Sequence, residues 1–399
     1  MGLHRGGAAL QQDIVNSRVL TTGPCTSDVA MAPQVSVVMP VRNGARWLGE
    51  AIESVLTQTF GDLELVIIDD GSTDDTTFVL DEYARRDGRV RVIAQPQLGL
   101  ASALNRGVRE VGAEVIARLD ADDRMQPERI ERQIGFFRAH PETALLGSWA
   151  EKIDEHGRHL GWLRPQTRAR ELIATLQRTN PFIHSSIMVR SEIVRRLGGY
   201  RPAFKAAEDY DLWLRIAEVA PIANLPECLV QYRRHGGNVT TREQIRQAFS
   251  ARLAQSSAKA RRETGIDPAN GLAAPPDWNS TCSAAAFFSR YVKMYRLLDV
   301  ADPSSARWQD DLDFSPIIDG FDALSHAERK LTMPAMINYI RRAKGPQAAR
   351  TRGLLLRLLR MRPGQIVPLA RSILDASFAR SVAADRRSDT AGPRWRGPD

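Results

Sequence analysis

Between residues 34 and 124 the chain alternates two kinds of apolar pattern. Val35–Met39 is a short β-branched run closed by Pro40, and Ala45–Leu56 follows with Leu48, Ile52, Val55 and Leu56 at helical spacing. The pair recurs as a strand at Leu63–Ile68 with a helix at Asp74–Arg86. It recurs again as Val90–Ala94 with Gly99–Val111, and a further strand is expected at Val115–Leu119. This alternation predicts a parallel sheet with helices on both faces. Ligands of such sheets bind where the carboxyl ends of the strands open out, so the polar residues just after each strand are the ones to inspect.

After Arg124 the rhythm changes. A helix is expected over Pro127–His140, then short segments at Ala144–Trp149, around Ile153, at Leu160–Leu163 and at Ile183–Val189. Helices near Ser191–Leu197 and Tyr210–Glu218 precede a last strand at Cys228–Arg233. This half reads as a mixed, partly antiparallel region completing one domain over residues 34–242. Residues 1–33 lack ordered patterning and are expected to form a disordered extension without a secretory apolar run. A helical region is expected over 243–382, broken by the Pro/Gly/Asn-rich stretch Asp267–Trp278, and a disordered basic tail over 383–399.

Charge changes this picture in one place. The net charge is +8, but residues 341–399 hold fourteen Lys or Arg against four Asp, so the preceding part is slightly acidic and not an electrostatic nucleic-acid binder. The tail interleaves Leu354, Leu355, Leu356, Leu358 and Leu359 with Arg352, Arg357, Arg360 and Arg362. Such helices can lie on an anionic membrane or cap the domain before them. No run approaches the roughly 18–20 apolar residues of a membrane span. The three distant cysteines, Cys25, Cys228 and Cys282, suit a reducing compartment better than a disulfide framework. A cytoplasmic location, with peripheral contact at the inner face of the cell membrane, is the expectation.

Four clusters carry chemistry. Asp69-Asp70-Gly71-Ser72 ends the second strand, where a carboxylate either closes a tight turn or accepts hydrogen bonds from a nucleobase or ribose. Asp120-Ala121-Asp122-Asp123 follows the Val115 strand; it is either a solvated acidic loop or a seat for Mg²⁺ or Mn²⁺. Glu208-Asp209 opens a helix, where the dipole alone favours acids, and where one of them can serve as a general base. Tyr232-Arg233-Arg234-His235-Gly236-Gly237 places a histidine after the last strand, structural or metal-binding. Its two arginines meet phosphate or face solvent.

In this order the clusters resemble the family 2 glycosyltransferases of the GT-A fold, over about residues 34–240. Val35–Asn43 looks like the family's opening strand and nucleotide loop, Ser54–Phe60 its next helix end, and Leu98–Gly107 the segment before the DxD at Asp120–Asp122. The resemblance implies an α/β fold with a Rossmann-like mixed sheet flanked by helices and a helical C-terminal extension. It implies an inverting transfer of a sugar from a nucleotide diphosphate, a UDP-sugar by the family's habit, to a glycan or lipid-linked acceptor in cell-surface polysaccharide or glycolipid synthesis. Carried over residue by residue, Pro40, Asn43, Asp70 and Asp120 bind the donor, and Asp122 and His235 hold Mg²⁺ or Mn²⁺. Asp209 is the base with Glu208 beside it, and His184 and Trp213 lie on the acceptor side. Two other classes compete. A nucleotidyltransferase would need a glycine-rich basic loop where Pro40-Val-Arg-Asn-Gly-Ala stands, and a non-catalytic nucleotide- or glycan-binding domain would not need Asp122, Asp209 and His235 intact. A GxGxxG dinucleotide turn is absent.

Overall fold

A computed structural model describes residues 33–236, 244–274 and 353; the expectations for residues 1–32 and for the helices and tail beyond residue 274 lie outside the described residues. The first half follows the expected rhythm: β1 (Val35–Val41), α1 (Ala45–Leu56), β2 (Leu63–Asp70), α2 (Thr76–Arg86), β3 (Val90–Gln95), α3 (Leu100–Glu110) and β4 (Val115–Arg118). The second half adds β5 (Arg124–Met125), α4 (Arg129–Ala139), β6 (Leu145–Ile153), β7 (His159–Leu163), α5 (Ala169–Leu176), β8 (Met188–Arg190), α6 (Ser191–Arg196), α7 (Glu208–Ala217), β9 (Ile222–Arg233) and α8 (Gln244–Thr264).

The strands form one mixed sheet in the order β3-β2-β1-β4-β8-β6-β9-β5, with β7 paired to β6. β1 to β4 are parallel; β8 runs antiparallel to both β4 and β6, and β5 antiparallel to β9, as the change of rhythm after Arg124 predicted. Alternate strand residues feed two cores. Val38, Val66, Ile68 and Ile116 pack with α3, α5, α6 and α7, while Val37, Met39, Leu65, Ile67 and Ala117 pack with α1, α2 and α4. Phe249, Leu253, Ala254 and Ala258 of α8 join the first core, so that core does not stop at residue 242.

β1 continues through Pro40 rather than ending there. Its pairing with β4 stops at Val38, so Pro40 has a strand neighbour on the β2 side only, and the missing N–H breaks no central ladder. Gln58, noted in the sequence, ties the end of α1 to the loop beyond the DxD: its Nε2 donates to the Gln126 carbonyl at 2.8 Å and its Oε1 accepts from Ile130 N at 3.0 Å.

Gly107 lets α3 lie against the central strand, because a Cβ there would sit 2.4 Å from Val38 Cγ1. Gly107→Ala is therefore expected to lose about 1–3 kcal/mol in urea unfolding despite alanine's better helix propensity. A neutral or stabilising result would mean that α3 can lift off β1 at little cost.

Candidate active site

Two loops at the carboxyl ends of β1 and β2 are sewn together by side chains. Asn43, at φ 52°, accepts from Thr73 N at 2.8 Å and donates its own N–H to Ser72 Oγ at 3.0 Å. Gly44 N donates to Thr76 Oγ1 at 2.9 Å, and Asp69 Oδ1 accepts from Ser72 N at 3.0 Å. Asn43 itself is exposed at the opening, whereas Pro40 is buried within β1. Asp70 is turned inward. It is 5% exposed, and its oxygens accept from Gln95 Nε2 (2.7 Å), Leu98 N (2.8 Å) and Gly99 N (2.9 Å). Its first task is thus to hold the loop that launches α3.

The DxD follows β4. Arg118, at the end of that strand and 2% exposed, forms a two-pronged ion pair with Asp120, and Ser185 Oγ donates to Asp120 Oδ2 at 3.0 Å. Arg129, wholly buried, donates to the carbonyls of Arg118 and Ile187 at 3.0 and 2.9 Å, which fixes the strand ends beneath the site. Burial and the nearby Arg118 charge lower the Arg129 pKa to about 9.

Asp120, Asp122 and Asp123 bring carboxylate oxygens within 4.8 Å of one another. His235 Nε2 lies 2.8 Å from Asp122 Oδ2, and its ring packs on Trp47 at 4.4 Å. Asp123 is 1% exposed; one of its oxygens accepts from Arg233 N at 2.7 Å and, among the described residues, the other has no hydrogen-bond partner. Burial and the neighbouring acids raise the pKa of both Asp122 and Asp123. Three crowded carboxylates, one with an unsatisfied buried oxygen, beside an imidazole are a donor set that fits Mg²⁺ or Mn²⁺.

Arg233 neither faces solvent nor waits for phosphate. It is 1% exposed, donates Nε to the Asp122 carbonyl at 2.8 Å and pairs with Glu50 at 2.7 Å, so it braces the DxD loop from β9. Arg234 is exposed.

The acidic pair opens α7 after Ala206, which is held at φ 65°. Glu208 is 5% exposed and Asp211 fully buried, the latter paired with Arg201 and Arg215; Asp209 is only half-buried. Asn180 Nδ2 donates to Asp209 Oδ2 at 2.8 Å, and Tyr210 N to Oδ1 at 2.7 Å. Burial raises the Asp209 pKa, while burial and then the Asp209 charge push Glu208 up to about 7; Arg118 opposes both shifts.

Folded Glu208 holds its proton to a higher pH than its ordinary value of 4.5, so ionisation penalises the fold progressively between pH 4.5 and about 7 and fully above. Glu208→Gln is expected to stabilise the protein by about 2–3 kcal/mol at pH 8. The gain should shrink toward zero as pH falls to 4.5; a gain independent of pH in urea titrations would refute this account.

His184 stands 3.4 Å from Tyr200 Oη and against the Trp213 ring at 5.9 Å. Burial, then the Arg118 charge, lower its pKa well below the ordinary value, so it is a neutral imidazole. Trp213, expected on the acceptor side, is instead 0% exposed and lies in the core behind the His184–Tyr200 pair. Trp213 lies one turn beyond Asp209 on the same face of α7, where its ring packs on Phe182 and His184 beneath the segment that carries Asn180. Three residues at the site were given no role beforehand: Arg118, Asn180 and Ser185. Arg118 carried a signal as a charge inside an apolar strand two residues from an acid, and Asn180 and Ser185 belong to the segment around His184 that resembles the family's acceptor side.

A mixed sheet flanked by helices, with a crowded carboxylate cluster after β4 and an acidic pair at the start of α7, has the architecture of the GT-A glycosyltransferases. The family model "Glycosyl transferase family 2" matches residues 36–198. The chain is 35% identical to the putative glycosyltransferase EpsE of Bacillus subtilis, over 50% of this chain and 73% of that protein. It is 32% identical to the O-antigen biosynthesis glycosyltransferase WbnJ of Escherichia coli, over 50% and 80%. Among solved structures it is similar to S. aureus TarS 1-349 in complex with UDP-GlcNAc, at TM-score 0.48 and 16% identity over 80% and 83% of the two chains. The chain belongs to glycosyltransferase family 2.

Proposed function

We propose that this transferase moves a sugar from a nucleotide diphosphate, with inversion at the anomeric carbon, onto an acceptor hydroxyl in the synthesis of a cell-surface polysaccharide. The observation that carries the reading is Asp209: the one half-open carboxylate of its acidic helix start, oriented by Asn180 and within electrostatic reach of Asp120. Asp209 takes the proton of the acceptor hydroxyl, whose oxygen bonds to the anomeric carbon as the bond to the diphosphate oxygen breaks. Asn43 at the β1 opening and Asp120 at the DxD bind the nucleotide and its sugar, and the buried Pro40 and Asp70 shape the donor pocket from behind. Asp122, His235 and the unpartnered oxygen of Asp123 would hold Mg²⁺ or Mn²⁺, which would neutralise charge on the departing diphosphate. Glu208 keeps the floor of the acidic pair, and the neutral His184 stays on the acceptor side. WbnJ supplies the polysaccharide context. Peripheral membrane contact through the basic region after residue 340 rests on its charge alone.

Thermal stabilisation against UDP, dTDP, GDP and their sugar conjugates, with and without Mn²⁺, tests the donor. A shift for one nucleotide that requires the cation is expected, about 2.7 kcal/mol at a hundredfold excess over Kd. No shift with any nucleotide in a folded sample would count against a working transferase.

A further inference from the structure

A second hollow opens one residue from the base. It has a volume of about 430 Å³ and lies between the strand-to-loop segment after β7 and the segment that carries Asn180. Arg164, Pro165 and Gln166 form one wall and Thr179, Asn180 and Phe182 the other. Asn180 faces both ways, since it lines this hollow and also donates to Asp209.

The walls are held at a set spacing. Asn224, 5% exposed on β9, donates one amide hydrogen to the Gln166 carbonyl at 3.0 Å and the other to the Pro181 carbonyl at 3.2 Å. The hollow is therefore built in advance of any ligand, with little ordering left to be done on binding.

Its chemistry is one-sided. Among the described residues, Arg164 is the only charged side chain in the lining, and no carboxylate shares it. The Arg164 guanidinium rests 5.4 Å from the Trp149 ring and 5.6 Å from that of Trp162, and among the described residues it makes no ion pair. Trp162 lies outside the lining but next to Arg164; it is 49% exposed, with its ring tilted against His159 at 4.9 Å. An exposed indole gives a sugar ring a flat apolar face, and a guanidinium held on aromatic rings presents its fork to an anion.

We propose that this hollow is the acceptor subsite and that it selects an acidic glycan, one bearing a carboxylate or phosphate on the residue next to the reacting hydroxyl. Arg164 grips the anion, Trp162 supports the ring, and Asn180 brings the bound sugar up to Asp209. The assignment of the acceptor rests on the transferase reading above; the glycan specificity of the hollow does not.

Binding, not turnover, is therefore the test. Full-length protein is titrated with fluorescently labelled uronate-containing, sugar-phosphate-containing and neutral oligosaccharides, and anisotropy is read. The expected result is at least a tenfold preference for the acidic sets, weakened by salt. Arg164→Gln should lose that preference, and Trp162→Ala should weaken acidic and neutral glycans alike. Arg168→Gln, which removes an exposed cation outside the hollow, should change nothing. Equal binding of acidic and neutral glycans, no binding to any, or full binding by Arg164→Gln would overturn the proposal. So would binding to anionic phospholipid vesicles, but to no oligosaccharide, that is lost in Arg164→Gln; the face would then be a membrane contact. Absence of donor turnover alongside selective acidic-glycan binding would instead overturn the transferase reading and leave the subsite standing.

Discussion

Replacing Asp209 by Asn is expected to cut sugar transfer by about 10²–10⁴-fold while nucleotide affinity changes by no more than about twofold. The substitution keeps the shape of the side chain, and its amide oxygen can still accept from Asn180, so the start of α7 should survive. What disappears is the only group on that helix start that is both basic and open to an acceptor, since Glu208 is buried and Asp211 is locked between two arginines. The pH profile offers a second reading of the same residue. Burial raises both members of the pair above their ordinary values, Glu208 to about 7. The base must be unprotonated to work, so transfer should fall as pH drops through the raised value of the pair, which belongs to both acids together. Single-turnover transfer and nucleotide titration on the same variant decide the matter. Loss of nucleotide binding would move Asp209 to the donor site.

The second large effect concerns Asp122. Asp122→Asn is expected to lower transfer by two orders of magnitude or more, on the order of 3 kcal/mol of barrier, and to abolish the cation-dependent part of nucleotide stabilisation. The same change should leave the free protein as stable as before or more so. Asp122 sits near Asp120 and Asp123 in surroundings that raise its pKa, so its negative charge is a burden on the fold when no cation is present. A protein that becomes less active and no less stable is the signature of a residue kept for its ligand. If the variant keeps its Mn²⁺-dependent shift, the cation lies elsewhere and the carboxylate cluster is structural.

Much of this was legible from residue order. Strands β1 to β4 and helices α1 to α3 follow from runs whose periods differ, because a buried parallel strand and an amphipathic helix bury their apolar groups at different spacings. The DxD and the Glu208–Asp209 pair were legible through their order along the chain, since an acidic loop and an acid at a helix start each have an ordinary structural use when taken alone. β9 was less so. It begins at Ile222, six residues before the strand expected at Cys228, because Pro226 and Glu227 interrupt the pattern. The pairing with β6 absorbs them, stepping from Ser148–Leu225 to Trp149–Cys228. α5 and β5 were missed as well: β5 has only two residues, and α5 buries only Leu172 and Leu176.

Residue order thus determined the class of fold, the order of the strands' chemistry and the identity of the acids that could react, since those depend on neighbours a few positions apart. Only the tertiary structure decided which of them stay open. Asp70 is spent on the Leu98 and Gly99 amides and Trp213 is drawn into the core. Arg233 braces the DxD from more than a hundred residues away, and Asn180 aims the base. Each of these outcomes depends on a partner distant in the chain and on burial, and neither quantity is written in local spacing.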